Sequence, residues 1–238
     1  MSQTTADIYD ALAPHYREYA EKKSAYLSAV DHFILENIPE GASSLLDVGA
    51  GDGIRGMSIA SQKGIAHTVL CDLSSEMVSR CRELNPTEVW QAAAEALPET
   101  NLRFDVITCL WNVLGHLGGR AERIKSLQGM GNLLAENGVI FFDVNNRYNA
   151  PAYGLFKVMA RVVMETLLPD ERRGDASFDW KIKEKVFPAM GHLFTPGEIE
   201  GIIHAAGLRV KNRVSVDYTT GKYSQSPFRG QLLYLVGK

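Results

Sequence analysis

Three polar side chains of different chemistry stand in the short stretch LWNVLGHL, residues 110–117. His116 is the best candidate for a catalytic base, because an imidazole titrates near neutral pH. Trp111 offers an aromatic ring face to a cation, and Asn112 offers an amide that binds a ligand or caps a turn. Packing at the rim of a core is the alternative for each of them. The elements that place these side chains therefore decide their role.

A second group of polar side chains follows the apolar stretch VIFFDV, residues 139–144. Asparagine, arginine and tyrosine at such a place can bind carboxylates or sugars, although asparagines also form turns. Together with the first stretch, the candidates for substrate contact are Trp111, Asn112, Asn145, Asn146, Arg147, Tyr148, Tyr153 and His192.

The stretch LLDVGAGDG, residues 45–53, is a glycine-rich turn after an apolar strand. Gly49, Gly51 and Gly53 permit positive φ angles and close approach of a ligand to the backbone. Asp72 ends the next apolar strand about 20 residues later, where a carboxylate can accept hydrogen bonds from both hydroxyls of a ribose. The turn and the aspartate together predict a nucleoside site.

The elements that must position these residues follow a repeating pattern. Five apolar strands alternate with helices and predict a mostly parallel sheet with helices on both faces. The helices include residues 54–63, one capped by Ser74 and one that stops at Asn137-Gly138. The strands are predicted at 43–48, 67–72, 87–91, 104–110 and 139–144, with two more at 208–217 and 230–237.

We interpret residues 1–238 as a single domain with an insertion. Helices are expected over 5–38, the core over 43–144 and 193–238, and a cap over 145–192 that carries a helix (151–168) and one strand (178–188). The apolar pattern of that helix favours packing on the domain over a membrane surface or a lid for an apolar substrate. Lys181, Lys183 and Lys185 are interpreted as a solvated strand face rather than a phosphate-binding strip.

Composition excludes several classes of function. The net charge of −3 provides no basic field for nucleic acid. The chain has neither an apolar run of about 18 residues nor a signal-peptide pattern at its start, so we expect a cytoplasmic protein without a membrane span. Cys71, Cys81 and Cys109 lack the spacing of metal ligands, and no other metal site is predicted.

Two classes of cofactor compete for the glycine turn. Gly51, Gly53 and Gly56 satisfy the dinucleotide pattern, and Tyr153 with Lys157 resembles the catalytic pair of a short-chain dehydrogenase. More than 40 residues precede the first strand, however, and the acidic residues Asp47 and Asp52 do not favour a pyrophosphate. The same acidic residues suit a cationic cofactor.

In these features the sequence resembles the class I S-adenosylmethionine-dependent methyltransferases, in particular the broad group that acts mostly on small molecules. The resemblance covers residues 5–142 and, more weakly, 192–237. It rests on YDALAPHY, LLDVGAGDG, VLCDLS, AAAEALP, VITCLWNVLGHL and HLFTPGEIEGIIHAAGL, in this order and at family-like spacing. It implies a Rossmann-like three-layer α/β/α sandwich with a seven-stranded, mostly parallel sheet and an antiparallel last strand.

The resemblance also implies roles for individual residues. Asp72 would hold the ribose hydroxyls, Leu73 and Met77 would lie against the adenine, and Asp47 would orient the turn or receive the amino group. The aspartate usual in the adenine motif is replaced here by Ala93 or Ala94. The residues implied to bind the cofactor are Tyr16, Asp47, Gly49, Ala50, Gly51, Asp72, Leu73, Met77, Ala94, Glu95 and Leu110.

The predicted activity is transfer of a methyl group from S-adenosylmethionine to an oxygen or nitrogen of a small molecule. In-line displacement depends mainly on alignment in a dry pocket, with His116 as a base where the acceptor needs one. Methylation of tRNA or protein is the enzymatic alternative, and a cofactor-binding regulatory protein without catalysis is the alternative of another class. The sequence leaves the oligomeric state open between a monomer and a homodimer.

Overall fold

The computed structural model describes residues 5–182 and 185–238. Its strands are β1 (Ser44–Val48), β2 (His67–Asp72), β3 (Glu88–Gln91), β4 (Phe104–Cys109), β5 (Leu134–Val144), β6 (Asp175–Ile182), β7 (Lys185–His192), β8 (Arg209–Val216), β9 (Tyr223–Ser224) and β10 (Gln231–Gly237). Its helices are α1 (Thr5–Leu12), α2 (Tyr16–Glu21), α3 (Ser24–Asn37), α4 (Ile54–Lys63), α5 (Ser75–Glu83), α6 (Arg120–Leu133), α7 (Ala150–Tyr153), α8 (Leu155–Leu167) and α9 (Pro196–Ala205). Short 3-10 helices cover Ala13–His15, Val113–His116 and Glu171–Gly174.

The central sheet has the strand order β3-β2-β1-β4-β5-β10-β8-β9 within the described residues. Strands β1 to β5 are parallel, and β10 runs antiparallel to both β5 and β8. The predicted fold class is therefore confirmed, with the two-residue strand β9 added to the seven strands expected. Parallel strands bring their carboxyl ends to one edge, where β1, β2, β4 and β5 end next to the glycine turn and the polar stretches.

Both faces of the sheet are covered because the strand residues alternate in direction. Leu46 and Val48 of β1 pack on the side of α6 and α9, whereas Leu45 packs on the side of α3 and α4. The residues of these strands are apolar on both faces, as a doubly covered parallel sheet requires. The sheet and the helices on both of its faces thus support the edge at which the glycine turn and the polar stretches lie.

The predicted caps of two helices are confirmed. The Ser74 hydroxyl accepts a hydrogen bond from the backbone N–H of Met77 at the start of α5. Thr195 and Glu198 form a complete capping box at the start of α9, with Pro196 in the first turn. These side chains fix where the two helices begin.

The boundary between α6 and β5 was predicted too late in the chain. The helix ends at Leu133, and β5 begins at Leu134 and runs through Asn137 and Gly138 instead of starting after them. The apolar residue Leu134 fits the helical spacing but pairs with Phe104 of β4. Tertiary pairing thus overrides the local turn signal.

The insertion differs from its prediction in three ways. The single helix expected over 151–168 is divided at Gly154 into α7 and α8. The structure has two antiparallel strands, β6 and β7, where one strand over 178–188 was expected. The apolar face of α8 was expected to pack on the domain, but Val158 is its one buried residue and the apolar face is exposed. The interpretation of Lys181, Lys183 and Lys185 as a solvated face concerns side chains outside the described part. No helix within the described ranges is long and apolar enough to cross a membrane.

Candidate active site

A cavity of about 400 Å³ lies at the carboxyl ends of β1, β2, β4 and β5. This volume is in the range of small-molecule sites. Helices α1 and α2 cover it with tyrosines, and the opposite wall comes from the strand ends. The lining residues are Tyr9, Tyr16, Tyr19, Gly49, Gly51, Asp72, Leu73, Ala92, Ala93, Ala94, Glu95, Leu110, Trp111, Asn112, Val113, His116, Leu117, Gly118, Asn145 and Tyr218.

The glycine turn exposes its backbone to this cavity because side chains are excluded there. Gly49 and Gly51 have φ angles of +72° and +57°, which favour glycine. A Cβ atom on Gly51 would lie 2.7 Å from the Tyr16 hydroxyl oxygen, and one on Gly49 would lie 2.5 Å from Val113 Cγ2. The turn therefore presents bare backbone beneath the ring of Tyr16.

Asp72 is tied to the same turn. Its Oδ2 accepts a hydrogen bond from the Gly51 N–H at 2.8 Å, and its Oδ1 accepts one from the Ser74 N–H at 2.9 Å. Burial raises the pKa of this carboxyl, and the backbone hydrogen bonds oppose that rise. Asp72 thus holds the end of β2 against the glycine turn, with its carboxylate at the cavity.

A second cavity of about 240 Å³ adjoins the first and carries charges of both signs. Arg17 pairs with Asp52 at 2.8 Å, and Arg55 pairs with Asp31. Both cavities are lined by Tyr16, Gly49, Leu110 and Trp111. The two cavities together can hold a ligand with an aromatic part at one end and a zwitterion at the other.

Two consecutive non-glycine residues of the opening stretch adopt left-handed backbone angles. Trp111 has φ +65° and Asn112 has φ +64°. Each such residue costs on the order of 1–2 kcal/mol. Asp143 accepts the Trp111 N–H, Tyr218 accepts the indole N–H at 3.0 Å, and Asn112 Oδ1 accepts the Asn145 N–H at 2.9 Å. The strained segment is therefore held from β5 and from the loop after β8.

Aromatic rings surround Trp111 at the point where the cavities meet. Its ring stacks on Tyr19 with centroids 5.5 Å apart and meets Tyr16 edge-on at 5.7 Å. Ring faces attract cations in a desolvated site. The strained backbone of Trp111 thus places its indole in the lining of both cavities, where it forms an aromatic wall.

His116 lies at the wall of the larger cavity, beside Tyr9, with ring centroids 5.9 Å apart. Its Nδ1 is 3.2 Å from the backbone oxygen of Met190 in β7. A carbonyl oxygen only accepts, so Nδ1 carries the hydrogen and Nε2 is the basic nitrogen of the neutral ring. Burial lowers the pKa of this imidazole, which keeps it neutral near pH 7.

The site and the fold match a known sequence family. Residues 45–138 match the family described as a methyltransferase domain. These residues therefore carry a methyltransferase domain, and the match is consistent with the class I S-adenosylmethionine-dependent methyltransferases. The predicted cofactor of this methyltransferase, S-adenosylmethionine, is thereby confirmed.

Comparisons with individual proteins agree with the family. The chain is 27% identical over 138 residues to dTDP-3-amino-3,6-dideoxy-alpha-D-glucopyranose N,N-dimethyltransferase from Streptomyces fradiae, a match that covers 58% of this chain and 52% of that protein. The match thus spans about half the length of this curated relative.

Two solved structures share the fold over nearly the whole chain. An S-adenosylmethionine-dependent methyltransferase from Clostridium acetobutylicum is 18% identical with a TM-score of 0.66, covering 97% of this chain and 98% of that one. The sugar N-methyltransferase KedS8 from Streptoalloteichus is 19% identical with a TM-score of 0.63, covering 100% and 96%. At these identities the likeness describes the fold.

The residues of the methyltransferase fit S-adenosylmethionine on two independent observations. Glu95 Oε2, at the larger cavity, is buried without a hydrogen-bond partner among the described residues, and such an acceptor suits an adenine amino group. Arg55 Nη2, at the smaller cavity, is a buried donor without a partner there, which suits a carboxylate. The unpaired acceptor of Glu95 suits the adenine end of the cofactor, and the unpaired donor of Arg55 suits its carboxylate end.

Most of the residues implied to bind the cofactor line the larger cavity, but three lie elsewhere. Asp47 and Ala50 line the smaller cavity. Met77 is fully buried and lines neither cavity. Its place on the inner face of α5 explains this, because that face packs on the sheet.

Five of the residues predicted to contact substrate are not brought to the cavity. Asn146 donates to the backbone oxygens of Pro227 and Gly230 and serves as a turn residue. Arg147 pairs with Glu165 at 2.7 Å, and Tyr148 donates to the same carboxylate at 2.8 Å. The remaining two are Tyr153, which lies under the Arg161 guanidinium, and His192. Trp111, Asn112 and Asn145 do line it.

His192 joins the β6–β7 hairpin to α9. Its Nδ1 is 2.7 Å from Asp175 Oδ1 and its Nε2 is 2.6 Å from Glu198 Oε1. We expect His192→Ala to lower the free energy of unfolding by about 2–4 kcal/mol, because it removes two hydrogen bonds to carboxylates, one of them the buried carboxylate of Glu198. Urea unfolding measures this, with exposed His32→Ala as the control. A loss of cofactor affinity without a loss of stability would contradict this assignment.

Asp47 gives a pH-dependent prediction. Burial raises its pKa from 3.8 to about 6, while the hydrogen bond from Thr108 opposes the rise. The folded state therefore binds a proton that the unfolded state releases, and stability falls as the pH rises from about 4 to 6. Asp47→Asn should gain up to about 3 kcal/mol over the wild type across this window, at about 1.4 kcal/mol per pKa unit.

Urea unfolding without cofactor at several pH values tests this prediction. Asp217→Asn is the matched control with the opposite sign, because hydrogen bonds from Thr220 lower the pKa of Asp217. Its contribution is present above the unfolded pKa and is lost as the pH falls. A difference between Asp47→Asn and the wild type that does not vary with pH would refute the proposed titration.

Several residues that line or support the larger cavity were missed in the sequence. Tyr9 is one of them, and the helical face that it shares with Leu12 and with Tyr16, which was predicted, was the available signal. Tyr218 lies in a segment with no regular pattern, and Asp143 looked like an ordinary strand end. Nothing local indicates that these two residues would hold the indole and backbone of Trp111.

Proposed function

We propose that this protein methylates an amino group of a small acceptor of the amino-sugar type. The observation that carries the proposal is His116, which lines the larger cavity and whose Nδ1 lies 3.2 Å from the Met190 backbone oxygen, so that Nε2 is the basic nitrogen of the neutral ring. The relative from Streptomyces fradiae bears the name of an amino-sugar N,N-dimethyltransferase, and an amino pentose methyltransferase from Micromonospora echinaspora shares the fold with a TM-score of 0.62.

In this proposal the two cavities divide the cofactor between them. Asp72 accepts the ribose hydroxyls, and the wall formed by Ala94 and Glu95 contacts the adenine. The smaller cavity takes the amino-acid end, with Arg55 toward the carboxylate and Asp47 toward the ammonium group. When bound, S-adenosylmethionine supplies an electrophilic methyl carbon on a positively charged sulfur. Leu110 and Trp111, which line both cavities, would flank that methyl group.

His116 accepts the proton that an amine must lose. Nε2 of His116 would take the proton that the acceptor nitrogen loses, while the bound cofactor would supply the methyl group and keep the electrons of the carbon–sulfur bond. Tyrosine hydroxyls are poor alternatives, since burial raises the pKa of both Tyr9 and Tyr16. These tyrosines act as neutral hydrogen-bond donors and exclude water.

The lining also favours an uncharged or cationic acceptor over an anionic one. Neither lysine nor arginine occurs among the described residues that line the larger cavity, whereas Asp72 and Glu95 are acidic. Tyr9, Tyr19 and Tyr218 supply flat apolar surface on which a sugar ring can pack. An amino sugar combines a basic nitrogen with such a ring, whereas a tRNA phosphate finds no cation here.

The three cysteines are consistent with the cytoplasmic location that we propose. Cys71, Cys81 and Cys109 are buried and unpaired. Burial raises the pKa of each thiol, which makes all three poor nucleophiles. Such thiols are typical of proteins in a reducing compartment.

The proposal is tested with a panel of amino sugars and their hydroxyl counterparts. Purified protein is incubated with S-adenosylmethionine and each acceptor, and mass spectrometry detects added methyl groups. We expect methylation of the amino sugar and none of its N-acetylated form, in which the nitrogen lone pair is delocalised. Methylation of the hydroxyl counterpart, or of tRNA in preference to any amino sugar, would overturn the proposal.

A further inference from the structure

Helix α8 of the insertion presents an apolar face to solvent. Phe156 is 92% exposed and Leu167 is 72% exposed. Met159 and Val163 lie between them at the spacing of three to four residues that puts side chains on one side of a helix. The exposed large apolar residues of α8 and its end are Leu155, Phe156, Met159, Val163, Met164, Leu167 and Leu168.

The opposite side of α8, which carries Arg161, Glu165 and the buried Val158, faces the protein and fixes this orientation. Glu165 pairs with Arg147, which is 4% exposed, and accepts the Tyr148 hydroxyl hydrogen at 2.8 Å. The Arg161 guanidinium donates to the Arg147 backbone oxygen at 3.0 Å and lies over the ring of Tyr153. Rotating α8 to bury its apolar side would leave the buried Arg147 without its carboxylate, at high cost.

We propose that this apolar face binds the same face of a second copy of the chain. Seven large apolar residues are exposed on it, and a contiguous exposed apolar patch marks an interaction site. A standard interface buries about 800 Å² on each partner, with an apolar core and a polar rim, and this patch can supply that core.

The distribution of charge favours a second copy over other occupants. A two-fold contact places a patch against itself, so it tolerates no excess of one charge at its centre. Thr166 is a polar residue on the outward side of α8, and Lys157 lies at the edge of that side. A membrane-surface helix would carry rows of lysine and arginine beside its apolar face. Here Arg161 is turned inward, and the segment after the helix carries Asp170 and Glu171 together with Arg172 and Arg173, so that its charges balance.

The first test measures self-association of the purified full-length chain. Analytical ultracentrifugation over micromolar concentrations should show a dimer for the wild type. Val163→Asp should weaken dimerisation by about a hundredfold or more, because it buries an unpaired charge. Val210→Asp, the same change at an exposed strand position, is the matched control and should leave the dimer intact. Circular dichroism and thermal unfolding verify that both variants fold.

The second test uses a disulfide across the two-fold axis. Val163 is near the middle of α8, so it should lie close to its counterpart in the partner. Under mild oxidation Val163→Cys should form a cross-linked dimer, whereas Val210→Cys should not. The native thiols are buried and do not compete.

Three outcomes would overturn the proposal. One is a wild-type protein that is monomeric throughout the concentration range. A second is a dimer that survives Val163→Asp without cross-linking at Val163→Cys, which would assign dimerisation to another face. The third is a monomer that sediments with vesicles of phosphatidylcholine and phosphatidylglycerol through α8, which would make the face a membrane contact.

Discussion

Asp72→Ala is expected to weaken S-adenosylmethionine binding by about a hundredfold. The variant removes the proposed acceptor for two ribose hydroxyls, and hydrogen bonds to a charged group contribute about 1.5–3 kcal/mol each. In the wild type the Asp72 carboxylate accepts hydrogen bonds from the Gly51 N–H and the Ser74 N–H, and the variant removes both hydrogen bonds. The turn that carries the bare backbone of the site therefore loses its tie to β2.

Isothermal titration calorimetry with S-adenosylmethionine and with S-adenosylhomocysteine measures this loss. Asp170→Ala, a change of the same kind in the loop after α8, is the control and should bind as the wild type does. Asp72→Asn separates the two roles of the residue, because its amide oxygen still accepts one hydrogen bond. Unchanged affinity in Asp72→Ala with an intact fold would refute the ribose assignment.

His116→Asn is expected to lower kcat by roughly a hundredfold to ten-thousandfold, the usual contribution of a positioned base. Cofactor affinity should stay within about threefold of the wild type, because the histidine is proposed to act on the acceptor. The side chain of asparagine can still donate to the Met190 oxygen, so the β7 contact survives. Calorimetry measures the cofactor affinity, and steady-state kinetics with the acceptor that the protein methylates measure kcat.

The pH dependence of turnover distinguishes a base from a merely structural histidine. Burial lowers the pKa of His116, so the neutral ring is the main form at pH 7 and is lost as the pH falls through the lowered value. Wild-type kcat should therefore fall on the acidic side. His116→Asn should not show this fall in kcat at low pH. It should recover part of its activity at high pH, where the amine loses its proton to solvent.

The matched control is His32→Asn, an exposed histidine that pairs with Glu36 on α3. It should keep both kcat and the wild-type pH profile. If His116→Asn lost activity equally at every pH, the histidine would be a packing residue of the cavity wall. Full activity in that variant would remove it from the mechanism.

Much of the fold could be predicted because the signals are local. The strands of the parallel sheet are short apolar runs, and Thr195, Pro196 and Glu198 begin α9 by hydrogen bonds within one turn. Predictions were wrong where pairing partners distant in sequence decided the outcome. Leu134 fits the periodicity of α6 but joins β5, and the insertion forms two strands that pair with each other.

The candidate site divides in the same way. Gly49, Gly51 and Asp72 were found because they follow strand ends, and parallel strands bring their carboxyl ends to one edge. Asn146 and Arg147 follow β5 just as closely, yet their side chains turn toward other partners. Position after a strand predicts proximity to the edge, but the direction of a side chain depends on what packs beside it.

The sequence by itself indicated the methyltransferase domain, the cofactor and the backbone of the glycine turn, because these depend on residue types at fixed spacing. The role of LWNVLGHL was decided by tertiary structure. Asp143 and Tyr218 come from distant segments to hold Trp111 in its left-handed conformation, and Met190 fixes the tautomer of His116. The outward face of α8 was decided in the same way, by a buried ion pair between Arg147 and Glu165. Local pattern specifies what a residue can do, whereas long-range partners decide where its polar atoms point.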